Sequence, residues 1–443
     1  MDFKGKRVLI LGLGGLGGGI SAANFFYRKG ANLTITDLKS KHELKESLHK
    51  LRNIKANFVL GRHRKEDFFN ADLIIKNPAV SSSCPFLTEA LRKKIKVEMI
   101  ESLFVKLSKS KNIIGVTGTR GKSTVSALIY NTLKKAGDDA FLAGNIPNVS
   151  TLALLETVKE KSIVVLELSS WQLEGFGWSK ISPHVSIVTN IYPDHLNRYQ
   201  SMKDYIADKK NIFKFQKKED YLILNKNDRY SKEFAKESKS KIIWFSKSDF
   251  PKSWSISLLG KHNLENAACS YQAAKIYQIR EDVLKNVFSS FKALPFRLNI
   301  IGKFEGRTII NDSTSTTPAA LIAALRSFPP KKIILICGGN EKKLPLGELQ
   351  REIKANCKFI FFLKGSGTDL LFPKLKKTMP KRVYGSFDNL KDILRVSYLK
   401  SKKGDIILFS PGFTSFAMFK NEFDRGEKFK NETEAFFKKK AEK

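Results

Sequence analysis

The segment at residues 115–124, which reads GVTGTRGKST, constrains the fold of this chain more than any other. It follows the apolar residues Ile113 and Ile114, and the apolar side chains of residues 125–133 have the spacing of an amphipathic helix. A strand that enters a helix through a glycine-rich turn is the first part of a strand–helix–strand unit. The pattern therefore predicts an α/β fold with a mainly parallel sheet in this part of the chain.

The same turn has the residues of a phosphate-binding loop. Glycines allow backbone N–H groups to approach phosphate oxygens, and the N-terminus of the following helix adds positive potential. Lys122 is placed to reach the terminal phosphates, and the hydroxyl of Ser123 or Thr124 is placed to bind Mg²⁺. Val116 stands where the strict pattern has a glycine, so we interpret the turn as a variant loop that binds a nucleoside triphosphate. The alternative is a glycine-rich turn without a ligand.

The length of 443 residues exceeds one ordinary core and predicts about three domains. The hydrophobic fraction of 42% is ordinary for a globular protein, and no run of about 18 apolar residues could span a bilayer. Residues 4–20 resemble a signal peptide, but five glycines at residues 12–18 favour a tight turn. We therefore predict a cytoplasmic protein. The four cysteines are widely spaced, without a C-x-x-C pair, and indicate neither disulfides nor zinc: Cys84, Cys269, Cys337 and Cys357.

The net charge is strongly positive, with 79 Lys and Arg against 43 Asp and Glu, a balance of +36. Such a charge could attract nucleic acid, anionic lipid or a polyanionic substrate. The lysines are spread over nearly every segment, and no known nucleic-acid-binding module accompanies them. We therefore expect a solvated lysine-rich surface and no obligate nucleic acid, while a basic nucleic-acid-binding ATPase stays an alternative.

The first forty residues predict a Rossmann-like unit. Residues 7–11 and 33–37 have the composition of strands, and between them the glycines Gly12, Gly14 and Gly17 open a helical stretch. Asp37 lies twenty residues after Gly17, where a ligand of a nucleotide ribose is often found. This fingerprint fits a dinucleotide dehydrogenase, a site for another diphosphate, or a scaffold without a ligand.

The remaining strand signals extend the α/β pattern to the C-terminus. The sequence predicts a strand at residues 95–99, followed by a helix and a linker at 103–111. A domain boundary is therefore predicted near residue 109. Further strands are predicted at residues 73–75, 162–168, 185–190, 308–310, 332–337, 359–363 and 405–409. We predict three domains: a Rossmann-like domain at 1–108, a central P-loop ATPase-type domain at 109–298 and a Rossmann-like α/β domain at 299–443.

Two acidic positions follow predicted strands of the central domain. Glu167 lies at the end of one strand, and Asp194 and His195 follow the next across a short turn. Because ligands gather at the carboxyl edge of a parallel sheet, these places suit a hard cation beside a triphosphate. Histidine is less typical of magnesium sites, so a surface or core role for His195 stays open.

Six segments, taken together, resemble the Mur ligases in order and spacing. They are GVTGTRGKSTV, LELSSWQLE, TNIYPDHLNRY, GKHNLENAA, INDSTSTTP and SPGFTSFAMFKNEFDRG. The resemblance covers all three predicted domains and is strongest to the branch that adds D-glutamate. It implies a monomeric enzyme that uses ATP and two Mg²⁺ ions to join D-glutamate to UDP-N-acetylmuramoyl-L-alanine through an acyl phosphate. A different amino acid, as in other Mur or folylpolyglutamate-type ligases, is the alternative.

The resemblance also implies roles for individual residues. Catalytic roles fall on Lys122, Glu167, His195 and Lys209, the last as a lysine that the family carbamylates. ATP contacts fall on Gly118, Thr119, Gly121, Lys122, Ser123, Thr124, Asn263, Arg297 and Asp312. Contacts to the UDP-substrate fall on Gly12, Gly14, Gly17, Asp37, Asn145, Ser169 and His195. D-Glutamate contacts fall on Thr316, Lys342 and Ser415, and metal contacts on Ser123, Glu167, His195 and carbamylated Lys209. Without the resemblance, Lys209 would be one exposed lysine among dozens.

Five positions depart from the family pattern: Arg120, Pro147, Thr314, Glu341 and Ala417. The family has asparagine, glycine, lysine, glycine and aspartate there. Arg120 adds positive charge near the phosphates, and we hypothesise that it compensates for the lysine replaced by Thr314.

Overall fold

The computed structural model describes residues 2–14, 17–147, 149–196 and 198–441. Within these ranges the strands form three sheets. The chain divides into two compact units, of which the first contains two sheets and the second contains one. The first unit comprises Met1–Ile191, Lys203–Asp249 and Cys269–Leu284, and the second comprises Tyr192–Met202, Phe250–Ala268 and Lys285–Lys443.

The first sheet is built from β1 (Arg7–Leu11), β2 (Asn32–Asp37), β3 (Ala56–Leu60), β4 (Leu73–Lys76) and β5 (Val97–Glu98). The helices of this region are α1 (Gly18–Arg28), α2 (Lys45–Lys50), α3 (Lys65–Phe69), α4 (Pro85–Arg92) and α5 (Ile100–Leu107). The strands are parallel in the order β3, β2, β1, β4, β5. Because they are parallel, the carboxyl ends of β1, β2 and β4 meet at one edge, where ligands bind in such folds.

The second sheet contains β6 (Ile113–Thr117), β7 (Ala140–Gly144), β8 (Ile163–Glu167), β9 (Val185–Val188), β10 (Tyr221–Asn225) and β11 (Lys241–Phe245). The helices are α6 (Lys122–Ala136), α7 (Ser170–Ser179), α8 (Met202–Lys210), α9 (Ser231–Glu237), α10 (His262–Ile276) and α11 (Glu281–Ser290). Its strands are parallel in the order β11, β10, β9, β6, β8, β7. Every residue of β6, β8 and β9 is buried, as expected for central strands of a sheet covered on both faces.

The third sheet contains β12 (Asn299–Phe304), β13 (Arg307–Asn311), β14 (Ile333–Gly338), β15 (Cys357–Leu363), β16 (Val383–Phe387) and β17 (Ile406–Phe409). Its helices are α12 (Pro318–Leu325), α13 (Gly347–Asn356), α14 (Ser366–Thr378), α15 (Leu390–Lys400) and α16 (Glu422–Ala441). The order is β12, β13, β17, β14, β15, β16, with β12 antiparallel and the others parallel. Alternate residues of β14 belong to two apolar clusters, one of which contains Leu335 and the other Ile336.

The predicted α/β class with mainly parallel sheets is confirmed. The helix predicted within 103–111 begins earlier in the structure, because α5 is Ile100–Leu107 and only Met99 separates it from β5. No helix in the described ranges is both long and apolar enough to cross a bilayer. The domain limits near residues 108 and 298 stay predictions.

All four cysteines lie in the described ranges, and all are free thiols. Cys269, Cys337 and Cys357 are buried, and burial raises the pKa of each thiol well above its usual value. Cys84 is half-buried and directly precedes α4. No disulfide therefore links the four cysteines in the described ranges.

Candidate functional site

The phosphate loop connects β6 to α6 and depends on two glycines. Gly118 and Gly121 have φ angles of 143° and 85°, in the region that disfavours residues with a Cβ. A Cβ on Gly118 would overlap the Oγ1 atom of Thr189. The sequence therefore needs glycine at 118 both for its backbone angle and for the close approach of β9.

The end of β9 holds the loop in place. The amide of Thr119 donates to the carbonyl of Asn190 at 2.8 Å, and the amide of Arg120 donates to the side-chain oxygen of Asn190 at 2.9 Å. The hydroxyl of Thr189 donates to the carbonyl of Arg120 at 2.6 Å. These hydrogen bonds join the loop after β6 to the residues that follow β9, the neighbouring strand. The loop is therefore shaped before any ligand binds.

Two lysines point at one carbonyl oxygen of the loop. Lys122 Nζ and Lys209 Nζ each lie 3.0 Å from the oxygen of Gly118. Lys209 is only 2% exposed, and its ammonium lies 4.8 Å from the ring centre of Tyr205. Tyr205 in turn contacts the loop through its hydroxyl, 3.0 Å from Thr119 Oγ1. The alternative that Lys209 is one more exposed surface lysine is wrong.

Glu167, the last residue of β8, places a carboxylate beside β6. One of its oxygens accepts a hydrogen bond from the Asn145 side chain at 3.0 Å. The other, Oε2, is buried and has no hydrogen-bond partner among the described residues. A buried carboxylate oxygen without a partner is unfavourable unless a cation binds it. The residues present therefore fit a divalent cation at Glu167, although no group of three or more His, Cys, Asp and Glu gathers in the described ranges.

The glycine turn after β1 is stabilised by Asp37. One oxygen of this carboxylate accepts the amide of Leu13 at 2.9 Å, and the other accepts the amide of Lys39 at 2.9 Å. Gly12, Gly14 and Gly17 all have positive φ angles. Gly15 and Leu16, which belong to the same predicted turn, lie outside the described residues. Asp37 thus holds the backbone at Leu13, in the first part of the turn for which a diphosphate ligand is one prediction.

The second unit brings Asp194 and Lys342 together. Lys342 Nζ lies 3.1 Å from Asp194 Oδ1, and the side chains are 14% and 6% exposed. His195 has a left-handed backbone with φ of 58°, and its amide donates to the Asp194 carboxylate at 2.8 Å. Lys342 and the loop that holds His195 were predicted to bind different substrates. A direct ion pair between them was not predicted from the sequence.

Asn263 and Asp312, which were both predicted to contact ATP, form hydrogen bonds with other residues of the second unit. Asn263 donates to the carbonyl of Leu259 at 2.6 Å, near the start of α10. The Asp312 carboxylate accepts the Leu298 amide at 3.1 Å. It also accepts the Ser410 hydroxyl at 2.7 Å.

Thr316 and Ser415, the two hydroxyl residues predicted to bind D-glutamate, differ in burial. Thr316 is half-buried, while Ser415 is 2% exposed with a hydroxyl that has no hydrogen-bond partner in the described ranges. The amide of Arg297 donates to the carbonyl of Leu294 at 3.2 Å, just before β12.

The chain matches three family descriptions in succession. Residues 6–99 match the Mur ligase MurD-like N-terminal domain, residues 116–305 the Mur ligase middle domain, and residues 296–413 the Mur ligase glutamate ligase domain. A protein of Roseiflexus sp. (strain RS-1) named UDP-N-acetylmuramoylalanine--D-glutamate ligase is 35% identical, over 98% of this chain and 100% of that protein. The chain belongs to the Mur ligase family. Relatives of the same name from Borreliella burgdorferi (strain B31) and Clostridioides difficile (strain 630) are 35% and 32% identical, each over 97% of this chain.

Solved Mur ligase structures share the fold. UDP-N-acetylmuramate-alanine ligase MurC from Thermotoga maritima gives a TM-score of 0.64 at 17% identity, covering 97% of this chain and 99% of that one. MurF ligase from the same organism, solved in complex with ADP, gives 0.58 at 19% identity, covering 91% and 95%. The three-domain α/β class predicted from the sequence is therefore the class of the Mur ligases.

Sequence reasoning missed several residues that shape this Mur ligase site. Asn190 and Thr189 hold the phosphate loop, and Tyr205 lies against Lys209. Polar residues at the end of a strand that neighbours the phosphate-loop strand were the available signal for the first two. Tyr205 lies one helical turn before Lys209, a spacing that places both on one face of α8.

Side-chain hydrogen bonds are described for two of the five departures from the Mur ligase pattern, Thr314 and Glu341. Thr314 donates its hydroxyl to the carbonyl of Phe296 at 2.8 Å and is 9% exposed. The Glu341 carboxylate accepts the amide of Lys343. Thr314 therefore has a structural partner of its own, and the hypothesis that Arg120 compensates for it stays a prediction.

Proposed function

We propose that this Mur ligase joins D-glutamate to UDP-N-acetylmuramoyl-L-alanine at the expense of ATP, in the cytoplasmic synthesis of peptidoglycan precursors. Relatives of that printed name match it over nearly its whole length. The structural observation that supports it most directly is the phosphate loop, on which Lys122 and Lys209 converge. The carboxylate oxygen of Glu167 that has no hydrogen-bond partner among the described residues supports it further.

The chemistry begins with an unreactive carboxylate. An oxygen of the L-alanyl carboxylate attacks the γ-phosphorus, the bond to the β–γ bridging oxygen breaks, and ADP leaves. The amine of D-glutamate then attacks the acyl carbon, loses a proton, and expels inorganic phosphate with the electron pair of the broken C–O bond. Lys122 is suited to neutralise charge on the transferred phosphoryl group, because the loop already fixes its position relative to Gly118.

Mg²⁺ is implied by the family and fits the residues present. We propose that Glu167 Oε2 and the hydroxyl of Ser123 would hold it, with His195 as a further candidate. A cation held there would supply positive charge to the phosphate oxygens of ATP. The chain contributes by holding Glu167 rigidly through Asn145.

We further propose that Lys209 is carbamylated. Two ammonium groups on one carbonyl repel each other, and Lys209 is almost fully buried. Reaction of its neutral amine with CO₂ forms an N–C bond, releases a proton and turns a cation into an anion. The new anion would attract Lys122 instead of repelling it, and it would be able to bind Mg²⁺.

The contacts to the three substrates are assigned to residues of the three predicted domains, 1–108, 109–298 and 299–443, and one substrate can contact more than one domain. The UDP-substrate is assigned to Gly12, Gly14, Gly17, Asp37, Asn145, Ser169 and His195. ATP is assigned to Gly118, Thr119, Gly121, Lys122, Ser123, Thr124, Asn263, Arg297 and Asp312. D-Glutamate is assigned to Thr316, Lys342 and Ser415, because its two carboxylates need cationic and hydroxyl partners. We expect a monomer.

The deciding experiment measures phosphate release by the purified protein with ATP, Mg²⁺ and UDP-N-acetylmuramoyl-L-alanine. D-Glutamate, L-glutamate, L-lysine or no amino acid is added in parallel, and the product mass is determined. Release with D-glutamate alone, with the mass of the glutamyl product, is expected. Release with another amino acid would assign the chain to a sister ligase, and no release under any condition would contradict the proposal.

A further inference from the structure

The site of this inference is a loop at residues 77–82, which leaves the carboxyl edge of the first sheet after β4. The amide of Asn77 donates to the carbonyl of Leu11 at 2.9 Å, so the loop begins directly beside the start of the glycine turn. The Asn77 side chain accepts the amide of Ala79 at 3.0 Å, and its carbonyl accepts the amide of Val80 at 3.0 Å. These bonds fold the loop back toward the turn.

The 77–82 loop packs closely on the glycine turn. A Cβ on Gly12 would lie 2.7 Å from Val80 Cγ2 and 3.2 Å from Asn77 Cβ. A Cβ on Gly14 would overlap the Asn77 side-chain amide. Any shift of the 77–82 loop would therefore reach the turn, because the two surfaces are in contact without a gap.

The carboxylate of Glu174 contacts residues at both ends of this loop. Lys76, the last residue of β4, places Nζ 2.9 Å from Glu174 Oε2. At the other end, the hydroxyl of Ser82 donates to Glu174 Oε1. The Lys76 side chain is 0% exposed and that of Glu174 is 16% exposed. Nζ of Lys76 also lies 5.6 Å from the ring centre of Trp178, one turn further along α7.

Glu174 belongs to α7, a helix of the second sheet's region, whose N-cap is Ser169. The Ser169 hydroxyl accepts the amide of Gln172, and the Gln172 side chain accepts the amide of Ser169. This capping box fixes where α7 begins, and thereby where Glu174 lies one turn later. A fixed helix with a buried ion pair is a rigid support for a neighbouring loop.

We propose that Glu174, with Lys76 and Ser82, is a positioning residue for the binding of the UDP-substrate. It holds the 77–82 loop against Gly12 and Gly14, so this part of the glycine turn is shaped for a nucleoside diphosphate before the ligand arrives. Preorganisation of this kind lowers the cost of binding without contact to the reacting atoms. The inference rests on the proposed function, because that function assigns the UDP group to this turn.

The test compares Glu174→Gln, Ser82→Ala and Ser82→Thr with the unchanged protein. Calorimetric titration with UDP-N-acetylmuramoyl-L-alanine gives the Kd, and steady-state kinetics give the KM of each substrate. We expect Glu174→Gln to raise the Kd roughly tenfold and Ser82→Ala about threefold, with ATP and D-glutamate KM nearly unchanged. Ser82→Thr keeps the hydroxyl and should restore the original Kd.

A control separates positioning from general destabilisation. Asp405→Asn breaks another partly buried ion pair, in which Asp405 lies 2.6 Å from Lys358 in the second unit. It should lower thermal stability but leave the Kd for the UDP-substrate unchanged. An unchanged Kd in both Glu174→Gln and Ser82→Ala would overturn the inference, as would an equal rise in all three KM values. If the unchanged protein itself fails to bind the UDP-substrate, the proposed function fails instead.

Discussion

The shared acceptor at Gly118 is an unusual feature at the scale of single residues. Lys122 is half-exposed, whereas Lys209 is buried and contacts the carbonyl of Gly118, the hydroxyl of Thr117 and the ring of Tyr205. Two ammonium groups that share one acceptor repel each other, and like charges repel more strongly away from water. A modification that removes the positive charge of Lys209 would relieve this repulsion.

The charge of Lys209 is therefore open to a direct test. Protein equilibrated with ¹³C-bicarbonate should give a carbamate NMR signal that is missing in Lys209→Gln. Lys210→Gln is the matched control, because Lys210 pairs with the exposed side chains of Glu233 and Glu237. We expect Lys209→Gln to lose roughly 100-fold or more in kcat, and Lys210→Gln to keep its activity. A carbamate signal of equal size in Lys209→Gln would contradict the proposal.

The buried carboxyl of Glu101 predicts how the stability of the folded protein depends on pH. This residue of α5 is buried, and its Oε2 atom has no hydrogen-bond partner in the described ranges. Burial raises the pKa of its carboxyl from about 4.5 to about 7. Because the folded pKa exceeds the unfolded one, ionisation opposes folding, and stability falls as the pH rises from about 4.5 through 7.

The variant Glu101→Gln should remove this dependence. At pH 8 it should be more stable than the unchanged protein by at most roughly 3 kcal/mol, since each pKa unit corresponds to about 1.4 kcal/mol. At pH 5 the two should have nearly equal melting temperatures. Thermal melts at both pH values provide the measurement, and a variant that is less stable at pH 8 would show that the carboxylate has a cationic partner.

Roles of single residues were predictable where the signal is local. Lys122 follows a glycine turn at a fixed offset, so its place in a phosphate loop follows from the sequence alone. The burial of Lys209 depends on the packing of α8 against a strand some ninety residues earlier, and the Lys76–Glu174 pair spans 98 residues. Contacts at such separations leave no periodic pattern in the sequence, so they could not be predicted from it.

At the scale of elements, two glycines, one before α6 and one at its end, can be compared by mutation, because only one of them is closely packed. Gly118 precedes the helix and Gly137 caps its end, and both have positive φ angles. A Cβ on Gly118 would overlap Thr189, whereas a Cβ on Gly137 would meet nothing within 4 Å. We expect Gly118→Ala to reduce kcat/KM for ATP by roughly 100-fold. Gly137→Ala should cost about 1 kcal/mol of stability and leave the kinetics unchanged.

Both variants are to be assayed for ATP KM and for melting temperature. Equal kinetic effects in the two would mean that backbone strain, and not the close approach to Thr189, decides the outcome.

The strands of the sheets were predictable to different degrees. β6, β8, β9 and β14 are buried, apolar and β-branched, so their composition alone indicates strands. Strands nearer the sheet edges, such as β3, β12 and β16, contain polar and exposed residues and were not predicted. Their pairing is decided by the neighbouring strand, which the sequence pattern does not specify.

At the scale of the whole molecule, the charge of +36 raises the question of a polyanionic partner. If the lysines only solvate the surface, RNA should bind weakly, with an affinity that falls steeply as salt increases. We further expect RNA to leave the rate of ATP hydrolysis unchanged. The measurement is phosphate release with and without RNA at two salt concentrations. Stimulation by RNA that disappears at high salt would favour the nucleic-acid-binding ATPase.

The distribution of the cysteines determines where a chemical reporter can be attached. Three of the four thiols are buried, which leaves Cys84 as the one accessible to an alkylating dye in the described chain. Cys84 follows Ser82 by two residues, next to the loop bracketed by Glu174. The unaltered protein can therefore accept a fluorophore beside the glycine turn, and the emission of that fluorophore would follow the order of the loop in real time during a titration.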